Sequence, residues 1–286
     1  MFTYKDKVNA DLEKRSLEDW LEITKDWEDP YGLPQLKDHD GVLVVRDDLI
    51  AGTKARAADF LFQHTDQNCV VYVQPREGAA GVSLLDAAKN HNKEVKLFMP
   101  SSKKMSETQA ITIERGADYE FHRIAAMPNL NKIAKEWADE NNAYFIPLGL
   151  RHTYVTAALV RVAYNLRNTG YNPKTLAVAT STGTLGRALR IVFSDTEFHT
   201  VAVARNLQAG EMGNGVFYSD TRPFLKDTKY PCPFPTYPNY DGKAWEYAKE
   251  NGIESMWNVG CKQSLIDQSI YDIKSYRDWP KNEEGQ

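Results

Sequence analysis

Short apolar runs alternate along the chain with longer stretches whose apolar positions recur at helical spacing. "GVLVVR" (41–46) precedes "ARAADFLFQH", "CVVYVQ" (69–74) precedes "AAGVSLLDAAKNHN", and "VKLFMP" (95–100) precedes "SETQAITIERGA". "YEFHR" (119–123), "AYFIPLG" (143–149) and "TLAVAT" (175–180) each lead into a helical pattern in the same way, and "TVAVAR" (200–205) closes the series. Ahead of them "SLEDWLEITKDW" predicts a helix, with Ser16 as its cap and Asp19 three residues on. Strands that are apolar at every position, separated by helices, predict an α/β fold with mostly parallel sheets covered on both faces. Such folds bind ligands beyond the carboxyl ends of their strands, so function is expected in the loops that follow the strands. Residues 206–240 break the pattern with Gly, Pro and aromatic residues and read as a functional or mobile loop. "SLIDQSIYDIKSYRDW" predicts a further helix, and "PKNEEGQ" a frayed end.

The 286 residues suffice for one large domain or two modest ones. A net charge of −4 creates no global basic field, so nucleic acid is not indicated. The three cysteines, Cys69, Cys232 and Cys261, are far apart and odd in number, which suits inert thiols better than a disulfide framework. None of the six histidines stands in HxxxH or HxH spacing, so no metal is expected. The opening "MFTYKDKVNADLEKR" is too polar for a signal peptide, and no apolar run approaches the roughly 18 residues of a membrane span. A soluble, cytoplasmic protein is expected.

Four loops carry candidate chemistry. In "DDLIAGTKARAADFLF" (47–62) Lys54 stands at a helix start, where the positive local potential favours its neutral, nucleophilic amine. The alternative is a solvated surface lysine. In "TSTGTLGRAL" (180–189) backbone N–H groups at a helix start, with hydroxyls from Thr180, Ser181, Thr182 and Thr184, would cradle an anion. Gly183 permits close approach there. The loop fits neither GxxxxGK[ST] nor GxGxxG. In "QPREGAAGVSLLDAAK" (74–89) the amides from Gly78 to Gly81 could receive a carboxylate, and Arg76 and Glu77 at the lip either contact a ligand or are simply solvated. In "YPNYDGKAWEYAKENG" (237–252) Asp241 is either an ordinary cap or an acceptor for a protonated ligand nitrogen.

In this order the four loops resemble the fold type II pyridoxal-phosphate enzymes, the tryptophan synthase β superfamily. The resemblance runs from about residue 33 to about residue 252 and is nearest to the 1-aminocyclopropane-1-carboxylate deaminase and D-cysteine desulfhydrase branch. "VVRDDLIAGTKAR" matches the segment carrying the family's Schiff-base lysine, "LFMPSSKKMSETQAITIERGADYEF" a middle segment, "TSTGTLGRAL" the phosphate loop, and "YPNYDGK" a "DPVYEGK"-like segment. The resemblance implies two three-layer αβα domains: a large one from 1–68 and 151–286, and a small mobile one from 69–150. It implies pyridoxal 5′-phosphate as cofactor, Lys54 and Tyr240 as catalytic residues, and Thr180, Ser181, Thr182, Gly183, Thr184 and Asp241 as cofactor ligands. Asp241 would face the pyridine nitrogen and Tyr240 the substrate. Arg76, Glu77, Gly78, Ala79 and Tyr218 would set substrate specificity. A homodimer is implied as well.

The activity implied is elimination, replacement or deamination at the amine-bearing carbon of an amino acid or amine. One departure qualifies it: Glu77 stands where the family has serine, and Ala79 where it has asparagine. A glutamate there repels a free carboxylate unless Arg76 or a proton neutralises it. Two other readings therefore stay open. One is an amino acid or amine attached to a larger carrier or modified base, and the other is an inert protein that binds a phosphorylated ligand.

Overall fold

The computed structural model describes residues 15–103, 105–123, 126–203 and 215–262. In chain order the elements are α1 (Leu17–Ile23), β1 (Gln35–His39), β2 (Val42–Arg46), α2 (Thr53–Gln63), β3 (Cys69–Val73), α3 (Ala80–Asn90), β4 (Glu94–Pro100), α4 (Glu107–Glu114) and β5 (Asp118–His122). There follow α5 (Met127–Glu140), β6 (Tyr144–Ile146), α6 (Thr153–Arg167), β7 (Thr175–Thr180), α7 (Thr184–Val192), β8 (Glu197–Ala202), β9 (Val216–Ser219), α8 (Asp241–Asn251) and β10 (Ser255–Asn258).

Two sheets result. One has six strands in the order β1-β2-β10-β7-β8-β9, the other four in the order β5-β4-β3-β6. Every pairing is parallel except β1 with β2. The four-stranded sheet comes from one continuous stretch of chain, and the six-stranded sheet from the segments before and after it.

Alternate residues of each strand enter different cores, because successive side chains point to opposite faces. Val45, Leu176 and Val178 of one sheet, and Val70, Tyr72 and Leu97 of the other, share a core with α2, α3, α6 and α7. The opposite residues of the first sheet, Val44, Ala177 and Ala179, pack under α8 at Ala244, Trp245 and Ala248. Those of the second, Val71, Val73 and Phe98, pack under α5 at Leu130, Ala134 and Ala138. With both faces buried, no position in these strands is polar by default, which is why they read as unbroken apolar runs.

The helix at Ser16 forms with the reciprocal cap its sequence predicts: Asp19 N–H donates to Ser16 Oγ (3.1 Å), and Ser16 N–H to Asp19 Oδ2 (2.9 Å). Other elements differ from expectation. β8 starts at Glu197 rather than at 200, and β6 is only three residues long. β1, β9 and β10 are strands the apolar pattern does not reveal, and β9 lies inside the stretch expected to be irregular. β1 is a polar edge strand, so it lacks the signal of burial. The helix predicted within 264–279 and the frayed end after it lie outside the described residues. No helix among the described residues is long and apolar enough to cross a membrane.

The segment between β9 and α8 is fastened to α8 by buried Glu246. Its carboxylate accepts from Lys229 N–H (2.8 Å), Arg222 Nη1 (2.9 Å) and Thr228 Oγ1 (3.1 Å), and pairs with Lys229 Nζ (2.9 Å). Burial pushes this carboxyl up, but the hydrogen bonds outweigh it and hold the pKa down to about 2. A carboxylate depressed below its usual 4.5 stabilises the fold above that pH, and the contribution is lost as pH falls through about 2. Glu246→Gln should therefore lower stability at pH 7 by on the order of 2 kcal/mol. It should also flatten the loss of stability between pH 4.5 and 2. Denaturant melts across that range check both.

Candidate active site

The site forms at the carboxyl ends of β2, β10 and β7. After β2 the chain makes a short 3₁₀ turn, Asp47–Leu49, whose two acids are buried. Asp47 accepts from Thr53 Oγ1 (2.6 Å), Arg56 Nε (2.9 Å) and Trp257 Nε1 (3.0 Å). Asp48 accepts from Arg46 Nε (2.7 Å) and Nη2 (2.6 Å) and from Asn258 Nδ2 (2.7 Å). Gly52 then reaches a φ of +91° as the cap of α2, and a Cβ there would stand 2.8 Å from the Val259 carbonyl. Only glycine fits both demands. Thr53 N–H donates to that same carbonyl (2.8 Å), so the first turn of α2 is tied to the end of β10.

Lys54 is the second residue of α2 and lines a cavity there. Burial lowers its pKa from the usual lysine value, while the charge of Asp241 pulls it back up. Asp241 opens α8, and its side chain is fully buried with neither oxygen in a well-formed hydrogen bond among the described residues. Burial raises its pKa well above the carboxylate range, and the Val259 backbone and the Lys54 ammonium oppose that rise only in part. A buried carboxylate whose hydrogen-bonding capacity is unfilled is costly to the fold.

The far side of the same cavity is the β7–α7 loop. Thr180, Thr182, Gly183 and Thr184 line it, and Gly183 is left-handed (φ +73°) at the cap of α7. Ser181 is half-buried beside these residues but is not part of the lining. Tyr240 completes the wall, its hydroxyl 3.4 Å from the Ala179 carbonyl, and burial raises its phenol pKa. The structure thus brings Lys54, Tyr240 and four of the five cradle residues to one cavity, with Asp241 within electrostatic reach.

The residues assigned to specificity lie elsewhere. Arg76, Glu77, Gly78 and Ala79 are not part of the lining. Their turn is held from inside by buried Gln74, whose Oε1 accepts from Gly81 N–H (2.8 Å) and whose Nε2 donates to Pro75 O (3.1 Å) and Gly78 O. The Gly81 amide, expected to be available to a carboxylate, is therefore already paired. Arg76 donates to Ser102 Oγ, and Ser106 Oγ donates to the Arg76 carbonyl. Burial raises the pKa of Glu77, while Lys262 and Arg76 lower it. The turn still borders the site, since Ser83 Oγ donates to the Ala51 carbonyl (2.6 Å) three residues before Lys54. Tyr218 sits on edge strand β9, 41% exposed, with its ring 4.8 Å from that of Tyr247, and the structure does not bring it to the cavity.

Two walls have no counterpart in the sequence reading. Gly149 and Leu150, after β6, line the cavity, and Thr184 Oγ1 donates to the Gly149 carbonyl (2.9 Å). Val259, after β10, is the other. The "PLGLR" turn carried a usable signal, a proline and a glycine directly after a strand. Val259 carried none.

No family model matches the chain, and no curated protein matches it in sequence. Solved structures do. An ACC deaminase homologue is 16% identical with a TM-score of 0.73, over 89% of this chain and 98% of that one. Diaminopropionate ammonia lyase from Escherichia coli, in its apo form, is 11% identical with a TM-score of 0.64, over 93% of each chain. A pyridoxal 5′-phosphate-dependent aspartate racemase is 14% identical with a TM-score of 0.53, over 65% of this chain and 63% of that one. The chain has the fold type II architecture.

The lowered pKa of Lys54 is open to direct measurement. In competitive acylation with a trace of acetic anhydride, followed by peptide mass spectrometry, Lys54 should gain reactivity with rising pH and level off below the usual 10.5. A midpoint at or above 10.5 would mean the amine is not desolvated.

Proposed function

We propose that this chain is a pyridoxal 5′-phosphate-dependent lyase or deaminase acting at the amine-bearing carbon of an amino acid or amine. The observation that carries this reading is Lys54 in the cavity wall, its pKa lowered by burial, with the fully buried carboxylate of Asp241 within electrostatic reach and neither of its oxygens in a well-formed hydrogen bond among the described residues. That pair is what a cofactor with an aldehyde and a basic ring nitrogen needs. The β7–α7 loop, with a left-handed glycine at a helix start in the wall of the same cavity, suits its phosphate.

In this reading Lys54 Nζ would hold the aldehyde carbon, and Asp241 would accept a hydrogen bond from the protonated ring nitrogen. Thr180, Ser181, Thr182, Gly183 and Thr184 would hold the phosphate. When bound, the cofactor supplies an electron sink for charge left on the substrate carbon. With its Nζ free, Lys54 would be a neutral base able to take the proton from the amine-bearing carbon of the substrate. The charge of the ring N–H would favour the ionised form of Asp241 against its desolvation, and the carboxylate would in turn favour the protonated ring. Tyr240 closes the wall and excludes water on that side.

Residues 69–150, which contain all four strands of the smaller sheet, would form the small domain, with 1–68 and 151–286 the large one. The resemblance supports a homodimer. Glu77 favours a second substrate class, an amine or an amino acid held through its carboxyl group by a larger carrier, because a carboxylate at this turn disfavours a free one.

Purified protein supplemented with the cofactor should show a visible imine band. Borohydride should fix the cofactor to Lys54, and Lys54→Ala should remove both signals. Asp241→Asn should keep cofactor uptake but slow turnover by about 100-fold. Failure of the wild type to take up pyridoxal phosphate overturns the proposal. A panel of free amino acids, amines and carrier-linked amino acids, read by the shift of the band, separates the two substrate classes. Uptake with no response to any amine would indicate an inert binder.

A further inference from the structure

Two arginines from different parts of the chain converge on one carbonyl behind the cradle. Arg151, buried in the turn before α6, donates from Nη2 to Thr182 O (3.3 Å). Arg187, in the first turn of α7, donates from Nη1 to the same oxygen (3.1 Å). A trans peptide is planar, and its C=O and N–H point in opposite directions. With the Thr182 carbonyl turned to the guanidinium groups, the N–H of Gly183 is turned away from them, in a loop whose Thr182 and Gly183 both line the cavity. The left-handed φ of Gly183 (+73°) makes this plane compatible with the start of α7. The 149–151 turn braces the loop again through the bond from Thr184 Oγ1 to Gly149 O (2.9 Å). A Cβ on Gly149 would collide with the Thr182 side chain, so the two turns are in close contact.

We infer that Arg151 and Arg187 are positioning residues that lock the Thr182–Gly183 peptide with its N–H presented to the phosphate. They thereby set affinity for a phosphorylated cofactor without touching it. The inference rests on the cofactor reading above. Flipping the peptide would turn its carbonyl oxygen to the phosphate and break two hydrogen bonds from charged donors. The phosphate end thus depends on side chains of α7 and the β6–α6 turn, as well as on the loop itself.

The test is equilibrium binding to the apo-protein of three probes: pyridoxal 5′-phosphate, pyridoxal, and inorganic phosphate as a competitor. Arg187→Met and Arg151→Met should each weaken pyridoxal phosphate by about tenfold or more. Phosphate should compete less well in both, pyridoxal affinity should be unchanged, and Arg187→Lys should recover part of the loss. Pyridoxal phosphate binding as in the wild type, or an equal loss for pyridoxal and its phosphate, overturns the inference. If the buried Arg151 variant does not fold, the half-buried Arg187 position decides alone. Wild type that binds pyridoxal but shows no preference for its phosphate also overturns the inference, whereas wild type that binds neither overturns the cofactor reading instead.

Discussion

The site depends on one buried carboxylate, Asp47. It joins three pieces of chain that sequence separates by as much as 210 residues: the turn after β2, the first turn of α2, and β10 through Trp257. Placing a carboxylate in the interior is costly unless its oxygens are satisfied, and here a hydroxyl, a guanidinium and an indole N–H satisfy them. Arg56, the cation in that set, is itself shared with Asp29. Removing any one partner would leave the others buried without a complement, so the arrangement holds as a unit. Its product is direction. With Thr53 fixed by its hydroxyl to Asp47 and by its N–H to Val259, the next residue, Lys54, has little freedom over where its Cα–Cβ bond points.

Lys54 and Asp241 show the opposite use of burial. Asp47 has donors on both oxygens, whereas neither oxygen of Asp241 is in a well-formed hydrogen bond among the described residues. Each is buried, but only one is arranged for stability. Burial lowers the lysine and raises the aspartate, so desolvation moves both members of the pair towards their neutral forms. Their mutual attraction works against this and favours the charged form of each.

Much of this was legible in the sequence, for a physical reason. Strands buried on both faces must be apolar throughout, so β2, β3, β4 and β7 announced themselves, and their order with intervening helices implied the parallel sheets. Lys54 and the 180–184 loop were legible because small and hydroxylic residues after such strands have few structural reasons to be there. β10 was not legible. Its four residues, "SMWN", include Ser255 and Asn258, which are buried but serve as hydrogen-bonding posts to the Leu43 carbonyl, Asp48 and the Pro235 carbonyl. A strand at the centre of a sheet can carry polar residues when neighbouring segments satisfy them, and periodicity cannot see those partners. Arg151 and Arg187 were hidden for the same reason, since their shared acceptor is a backbone carbonyl.

The turn after β3 shows how a loop of anion-binding shape can be closed from within. Gln74 takes the Gly81 amide with its carbonyl oxygen and returns its own amide to the carbonyls of Pro75 and Gly78. A Cβ on Gly81 would lie 2.9 Å from that same oxygen, so this close approach depends on glycine. Glu77 adds a negative charge beside the closed turn. Gln74 therefore satisfies this turn from within, and Lys262 and Arg76 offset the charge of Glu77. The 180–184 loop differs: its left-handed glycine stands at the start of α7 in the wall of the cavity that Lys54 also lines.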